Sequence, residues 1–231
     1  SFAPCQHRFR HPACARCQGR LPRYGQPRAQ SFDRLKPVIR GILTGMTHAC
    51  DFFDRPADRV ARELLGAWLV VRGSDGRLRR HAVFETEAYL GAHDLACHGS
   101  KGMTKRNAVM FGPAGRWYVY LCYGMHWMLN VVTGAEGVPA AVLIRGAGEF
   151  VGPGRVTKGL GIDMSFNGLA TGRKTGLWLE PSGVAIPRRW IERTPRIGVG
   201  YAGVWAEKPL RYVVDPQRLP TMRKQAGEVK L

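Results

Sequence analysis

With 231 residues, 45% of them hydrophobic and 23% charged, the chain has globular composition and enough length to bury one sizeable core, which excludes a wholly disordered protein. Lys and Arg number 35 against 17 Asp and Glu, a net charge of +18. That balance favours a polyanion partner, because nucleic acid binds clustered cations with release of counterions. No apolar run approaches the roughly 20 residues that a membrane span needs, and no apolar signal core opens the chain, so the expectation is an intracellular protein that acts away from membranes.

Residues 1–45 hold nine of the Lys and Arg but a single Asp, and "SFAPCQHRFRHPACARCQGRLPRYGQPRAQ" shows no usable hydrophobic period. This is expected to be a basic, disordered N-terminal extension. Met46 stands just before the first well-patterned segment, so a start there, with 1–45 upstream of it, is a further expectation. Cys14 and Cys17 have zinc-pair spacing, but Cys5, His7 and His11 complete no recognised finger. The six cysteines, which include Cys50, Cys97 and Cys122, are scattered as reduced intracellular thiols are, not as a disulfide framework.

From Asp51 the elements follow closely. A short helix is predicted near 56–65, opened by Asp54 or Pro56 and closed by Gly66. "AWLVVRG" and "RLRRHAVFETEAYL" read as two strands of a hairpin, joined through Ser74-Asp75-Gly76. The stretch 116–132, "RWYVYLCYGMHWMLNVV", alternates with the period of two that strands show, and reverses at Tyr123-Gly124, leaving a tyrosine facing water. "PAAVLIRG" at 139–146 adds a strand, and "GPGRVTKGLGI" a short helix entered through Gly152-Pro153-Gly154. "GLWLE", "PRIGVG" and "LRYVV" complete the chain with strand-like pieces. The fold class is α+β (mixed): a single domain over 46–216, built on a curved antiparallel β-sheet with short helices and a protruding β-hairpin, followed by a basic tail at 217–231.

Polar groups crowd the segment "FETEAYLGAHDLACHGS", residues 84–100. Alternation places Glu85, Glu87 and Tyr89 on one strand face, where they are either a solvated face or part of a site. His93, Asp94 and His98 invite a zinc reading, although their i, i+1, i+5 spacing fits no common template. Nucleophile-elbow, phosphate-loop and dinucleotide fingerprints are absent from the sequence. Cys97 and Cys122 read as core or site-wall residues. What remains is a carboxylate, several aromatics and the cations Lys101, Lys105, Arg106, Arg116 and Arg145. Aromatic faces beside cations are how proteins hold an unstacked nucleobase and grip its phosphates.

These segments, above all "ETEAYL" and "YVYLCYGM", followed by "AAVLIRG", "GPGRVTKGLGID" and "RIGVGYAGVWAEKPLRYVV", resemble in order the alkyladenine (3-methyladenine) DNA glycosylase family, over roughly 51–214. The resemblance implies a monofunctional glycosylase that initiates base excision repair on damaged purines, alkylated or deaminated, in duplex DNA. It implies a monomer with neither metal nor cofactor. Carried over by position, Glu87 would activate the attacking water, and Arg145 would help hold that water and a phosphate. Tyr89, His98 and Tyr120 would wall the pocket of the extruded base, Asn130 would line its floor against the amine of normal guanine, and Tyr123 would be the wedge in the minor groove. Tyr118, Trp117, Trp127 and Met128 are expected to pack, Asp94 to cap a turn in the loop that carries His93, and Arg106 and Asn107 to support the pocket.

Physical chemistry supports those roles. A paired base must be rotated out at a few kcal/mol, least for a lesion that pairs weakly. A stiff hairpin tip can carry an aromatic into a minor groove about 6 Å wide, and a carboxylate both orients water and stabilises a cationic sugar. One departure bears on this: between Arg145 and Gly152 the chain has only "GAGEFV", where the family usually carries a longer charged insertion, which puts the support of Arg145 in question. The alternative is a non-catalytic nucleic-acid-binding protein of the same fold; a zinc enzyme on His93, Asp94 and His98 is the third reading.

Overall fold

The computed structural model describes residues 49–218. The expectations for the N-terminal extension, for Met46 and for the Cys5 to Cys17 group fall outside that span, as does most of the C-terminal tail.

Helix α1 (Ala49–Phe53), which the sequence pattern did not indicate, leads through Pro56 into α2 (Ala57–Glu63). In α2, Ala57, Val60 and Ala61 point inward, while Arg62–Asp58 and Arg59–Glu63 pair one turn apart on the outer side at 3.0 and 3.1 Å. Gly66, at a φ of 81°, turns the chain into the sheet. The strands are β1 (Trp68–Arg72), β2 (Leu78–Tyr89), β3 (Trp117–Cys122), β4 (His126–Thr133), β5 (Ala140–Ala147), β6 (Phe150–Val151), β7 (Leu177–Glu180), β8 (Glu192–Thr194) and β9 (Arg211–Val213), with α3 (Pro153–Leu160) after β6. They form one antiparallel sheet in the order β3-β4-β5-β2-β1-β7, with β6 on β5, β9 on the second half of β2, and β8 on β9. The mixed α+β architecture is as expected. "PRIGVG" at 195–200 is not a strand. Gly198 there has a φ of 80°, and the Ile197 N–H donates to a side-chain carboxylate instead of a neighbouring strand.

Register gives the sheet two chemically different faces. Trp117, Val131, Val142 and Ala88 are successive cross-strand partners, and all four are buried. With Leu129, Ile144 and Val119 they face Val60, Ala61 and Leu64 of α2 and Val156 and Leu160 of α3 in one core. Thr86, on this same side, donates its hydroxyl to the Ala61 carbonyl at 2.9 Å, which ties β2 to α2. Burial of that apolar face is the main drive for folding, at about 25 cal/mol per Å². One residue along each strand, the register instead aligns Tyr118, Asn130, Leu143, Glu87 and Arg211 across five strands. This second face is polar and aromatic.

Pairing between β2 and β5 slips on either side of Glu85, which faces Gly146 and leaves Phe84 and Arg145 outside the regular pairs. The Phe84 ring lies so near Gly146 that a Cβ there would sit 2.3 Å from it. Gly146→Ala is therefore expected to destabilise the fold by about 1–3 kcal/mol, seen as a Tm lowered by several degrees. A Tm equal to that of the wild type would show that the ring can move aside.

Candidate active site

Two carboxylates and two guanidinium groups meet around the register slip. Arg145 Nε lies 3.0 Å from Glu85 Oε1 and 3.4 Å from Glu87 Oε1, and Arg211 Nε donates to Glu85 Oε1 at 2.6 Å. Arg211 is also fixed by Thr194, whose hydroxyl accepts from its Nη1 at 3.0 Å. Glu85 and Arg145 are buried, and Glu87 has no exposed surface. The turn after β5 is short, with Ala147 paired to Phe150, so β6 returns directly along β5. Arg145 lies within β5, two residues before its end.

Glu87 also accepts the Ile197 N–H at 2.8 Å on Oε1 and the Tyr89 hydroxyl at 3.0 Å on Oε2. Burial raises its pKa above the usual carboxylate value, against the opposing pull of Arg145, the Ile197 amide and the Tyr89 hydroxyl. The same burial, with the Glu87 charge beside it, pushes the Tyr89 phenol well up, so it remains a donor.

Aromatic side chains flank this carboxylate. His98 and Tyr120 touch edge to face, with ring centroids 4.5 Å apart, and Tyr118 shares a 2.9 Å hydrogen bond with His98 Nδ1. Tyr118 packs, as expected, and its hydroxyl also orients His98; burial lifts its pKa to about 12. His98 keeps an exposed edge, while its partial burial and nearby Arg106 hold the imidazole below its ordinary pKa. Tyr89 and Tyr120 pack against the same buried group of Cys97, Met110, Tyr118, Val132 and Ala141. Among the described residues no ring contact joins those two tyrosines, whereas the His98 and Tyr120 rings do touch. Asn130 is buried in the row between Tyr118 and Leu143, its amide donating to the Tyr118 and Met128 carbonyls at 3.1 and 3.3 Å.

Tyr123 stands at the β3–β4 tip, 87% exposed. Its φ of 50° is the only positive value of a non-glycine among the described residues, and Gly124 follows at 68°. Consecutive positive φ angles are what a primed hairpin turn requires, and they are unusual for a bulky side chain. The Met125 N–H donates to the Cys122 carbonyl at 3.1 Å and closes the tip, where Met125 is exposed as well.

The structure thus brings Glu87, Arg145, Tyr89, His98, Tyr120 and Asn130 to one face, with Tyr123 at the end of the hairpin that carries Tyr120 and Asn130. The zinc trio separates: Asp94 pairs with Arg196, His98 with Tyr118, and the His93 ring lies against Trp205. Asp94 does cap its turn, accepting from the Leu90 and Ala96 amides at 3.1 Å each. Asn107 donates to the His98 and Gly102 carbonyls, and Arg106 to the Leu121 carbonyl at 2.7 Å, which ties the loop that carries His98 to β3. Sequence reading missed Arg211, Arg196 and the Ile197 amide, which join β2 from more than 100 positions away and carry no local signature. For Glu85 the strand alternation was a usable signal. A cleft of about 700 Å³ lies elsewhere, between α1, α2 and residues 179–193, and does not include these groups.

The sequence profile of the methylpurine-DNA glycosylase family matches residues 51–151 and 148–218. The two segments meet in the short turn after β5. A Myxococcus xanthus protein that carries the provisional name 3-methyladenine DNA glycosylase is 50% identical over 192 residues, covering 76% of this chain and 96% of its own length. Proteins with the same provisional name from Legionella pneumophila (strain Lens) and Methanocella arvoryzae are 46% identical over 172 residues and 45% over 183 residues. They cover 71% and 70% of this chain, and 91% and 89% of their own lengths.

The raised pKa of Glu87 has a measurable sign. The protonated carboxyl contributes stability that is fully present below the ordinary value of 4.5 and is lost as pH rises through the higher folded-state value. Glu87→Gln keeps the shape without the charge, so its Tm is expected to rise relative to that of the wild type as pH goes from about 4 to about 8. A Tm difference that falls over that range would contradict this.

Proposed function

Because the chain belongs to the methylpurine-DNA glycosylase family, we propose that it removes damaged purines from duplex DNA as a monomer, through water activated by Glu87. It is a DNA glycosylase directed at alkylated bases, a hydrolase of N-glycosyl bonds. The observation that carries the finer reading is the cross-strand row in which Tyr118, Asn130 and Glu87 share one sheet face, with Tyr120 and Arg145 beside them.

In this reading Tyr123 enters the minor groove and fills the space of the extruded nucleotide. The base lodges between Tyr89 on one side and His98 with Tyr120 on the other. An alkylated purine carries positive charge, and its stacking on the tyrosines gains a cation–π contribution of about 0.5–2 kcal/mol. Ionised Glu87 accepts a proton from water whose oxygen bonds to the anomeric carbon, and the electron pair of the breaking glycosidic bond leaves with the base. A cationic base departs neutral and needs no proton. A deaminated purine such as hypoxanthine is a poorer leaving group and depends on hydrogen bonds within the pocket. Arg145 Nε is engaged by the two carboxylates, which directs its remaining donors to the water or a phosphate. The basic excess of the chain supplies affinity for the phosphate backbone whatever the sequence.

Single-turnover base release from a duplex with one ethenoadenine or hypoxanthine tests this. Glu87→Gln is expected to lose about 10²–10⁴-fold in rate and to keep its affinity for the duplex. Equal rates would remove Glu87 from its role, and a wild type that binds without release would favour the non-catalytic reading. Tyr123→Ala should weaken binding to lesion duplex more than to undamaged duplex; a loss confined to undamaged DNA would rule out the wedge.

A further inference from the structure

Asp94 and Arg196, 102 positions apart, form a two-point ion pair, with Nη1 to Oδ2 at 2.5 Å and Nη2 to Oδ1 at 2.8 Å, and neither side chain has exposed surface. Desolvation makes such a pair a poor source of net stability compared with apolar packing, so what it touches matters more than what it holds together. Arg196 Nη1 also donates to the carbonyl of Ala88, the residue between Glu87 and Tyr89, at 2.9 Å. Its guanidinium carbon lies 4.8 Å from the centre of the Tyr89 ring. The following residue, Ile197, is the one whose N–H reaches Glu87. Asp94 meanwhile accepts the Leu90 and Ala96 amides, shaping the loop that delivers His98. The ion pair is thus in direct or next-residue contact with Glu87 and Tyr89, and it also holds the loop that leads to His98.

We propose that Arg196, locked by Asp94, is a positioning residue for base excision: it seats the Ile197 amide on Glu87 and backs one face of Tyr89, leaving the other face for the extruded base. The proposal rests on the glycosylase reading of Glu87. Other groups also face that carboxylate: Glu85 and Tyr89 from β2, Arg145 from β5, Arg211 as its cross-strand neighbour on β9, and Tyr120 from β3. Of these, Tyr89 is the one whose ring lies against the Arg196 guanidinium.

Arg196→Lys keeps the charge and removes the planar fork that reaches Asp94, Ala88 and Tyr89 together. The expected result is a single-turnover rate on ethenoadenine duplex about tenfold lower near neutral pH, of the order of one hydrogen bond to a charged group. The acid limb of the pH–rate profile should move to higher pH, because the Ile197 amide favours ionised Glu87. In the Glu87→Gln background the same change should lose less than it does in the wild type, since the route through the Ile197 amide on the carboxylate is already gone and only the backing of Tyr89 remains. A lowered Tm with an unmoved acid limb and additive rate losses would reduce the pair to a structural brace and overturn the proposal. Asp94→Asn, which preserves shape, carries the same measurements should the lysine variant be unfolded at the assay temperature. A wild type without base release would instead sink the reading of Glu87 itself.

Discussion

A carboxylate without exposed surface in the interior of a sheet is the constraint around which this domain is arranged. An isolated ionised carboxyl in that position would be prohibitively desolvated. Glu87 is accommodated because a guanidinium, a backbone amide and a phenol converge on it from β5, from the 195–199 loop and from its own strand. Local irregularities lie close to two of those donors. Arg145 sits at a slip in β-pairing, Ile197 belongs to a segment diverted from strand geometry, and Gly146 makes room for the Phe84 ring beside the slip.

The two-sided sheet divides the work. Its aliphatic face packs on α2 and α3, while the opposite face gathers the candidate site residues from five adjacent strands. Groups held on paired strands move less than groups on loops, which suits a reaction in which a displaced reactant loses most of its rate. The loop-borne members, His98 and the Ile197 amide, are each tied down by polar contacts: His98 through Tyr118 and Asn107, and Ile197 through the neighbouring ion pair.

Alternation made the strand core and the shared face of Glu85, Glu87 and Tyr89 legible before any coordinates, because a period of two is a local property. The hairpin tip was equally legible from Tyr123-Gly124. The resemblance carried by "ETEAYL" and "YVYLCYGM" supplied roles that periodicity could not. Three things stayed hidden for a physical reason. Which strand lies beside which is a long-range matter, so Arg211 beside Glu85 could not be anticipated from "LRYVV". "PRIGVG" has strand-like composition, and only tertiary partners divert its amides and bury its arginine. The Asp94 cap was visible, but its far partner was not.

At the tip of the β3–β4 hairpin, what the backbone prefers and what the proposed wedge needs point to different residues. A left-handed pair of positions is best served by Asn-Gly, and a design guided by folding free energy alone would write that dipeptide at 123–124. The resulting molecule would be sturdier and blunt. With Tyr on a backbone at 50°, the proposed wedge role would place this position on the stability–activity trade-off that many binding surfaces share, and residue 123 would then be one that thermostability engineering of this enzyme should leave alone.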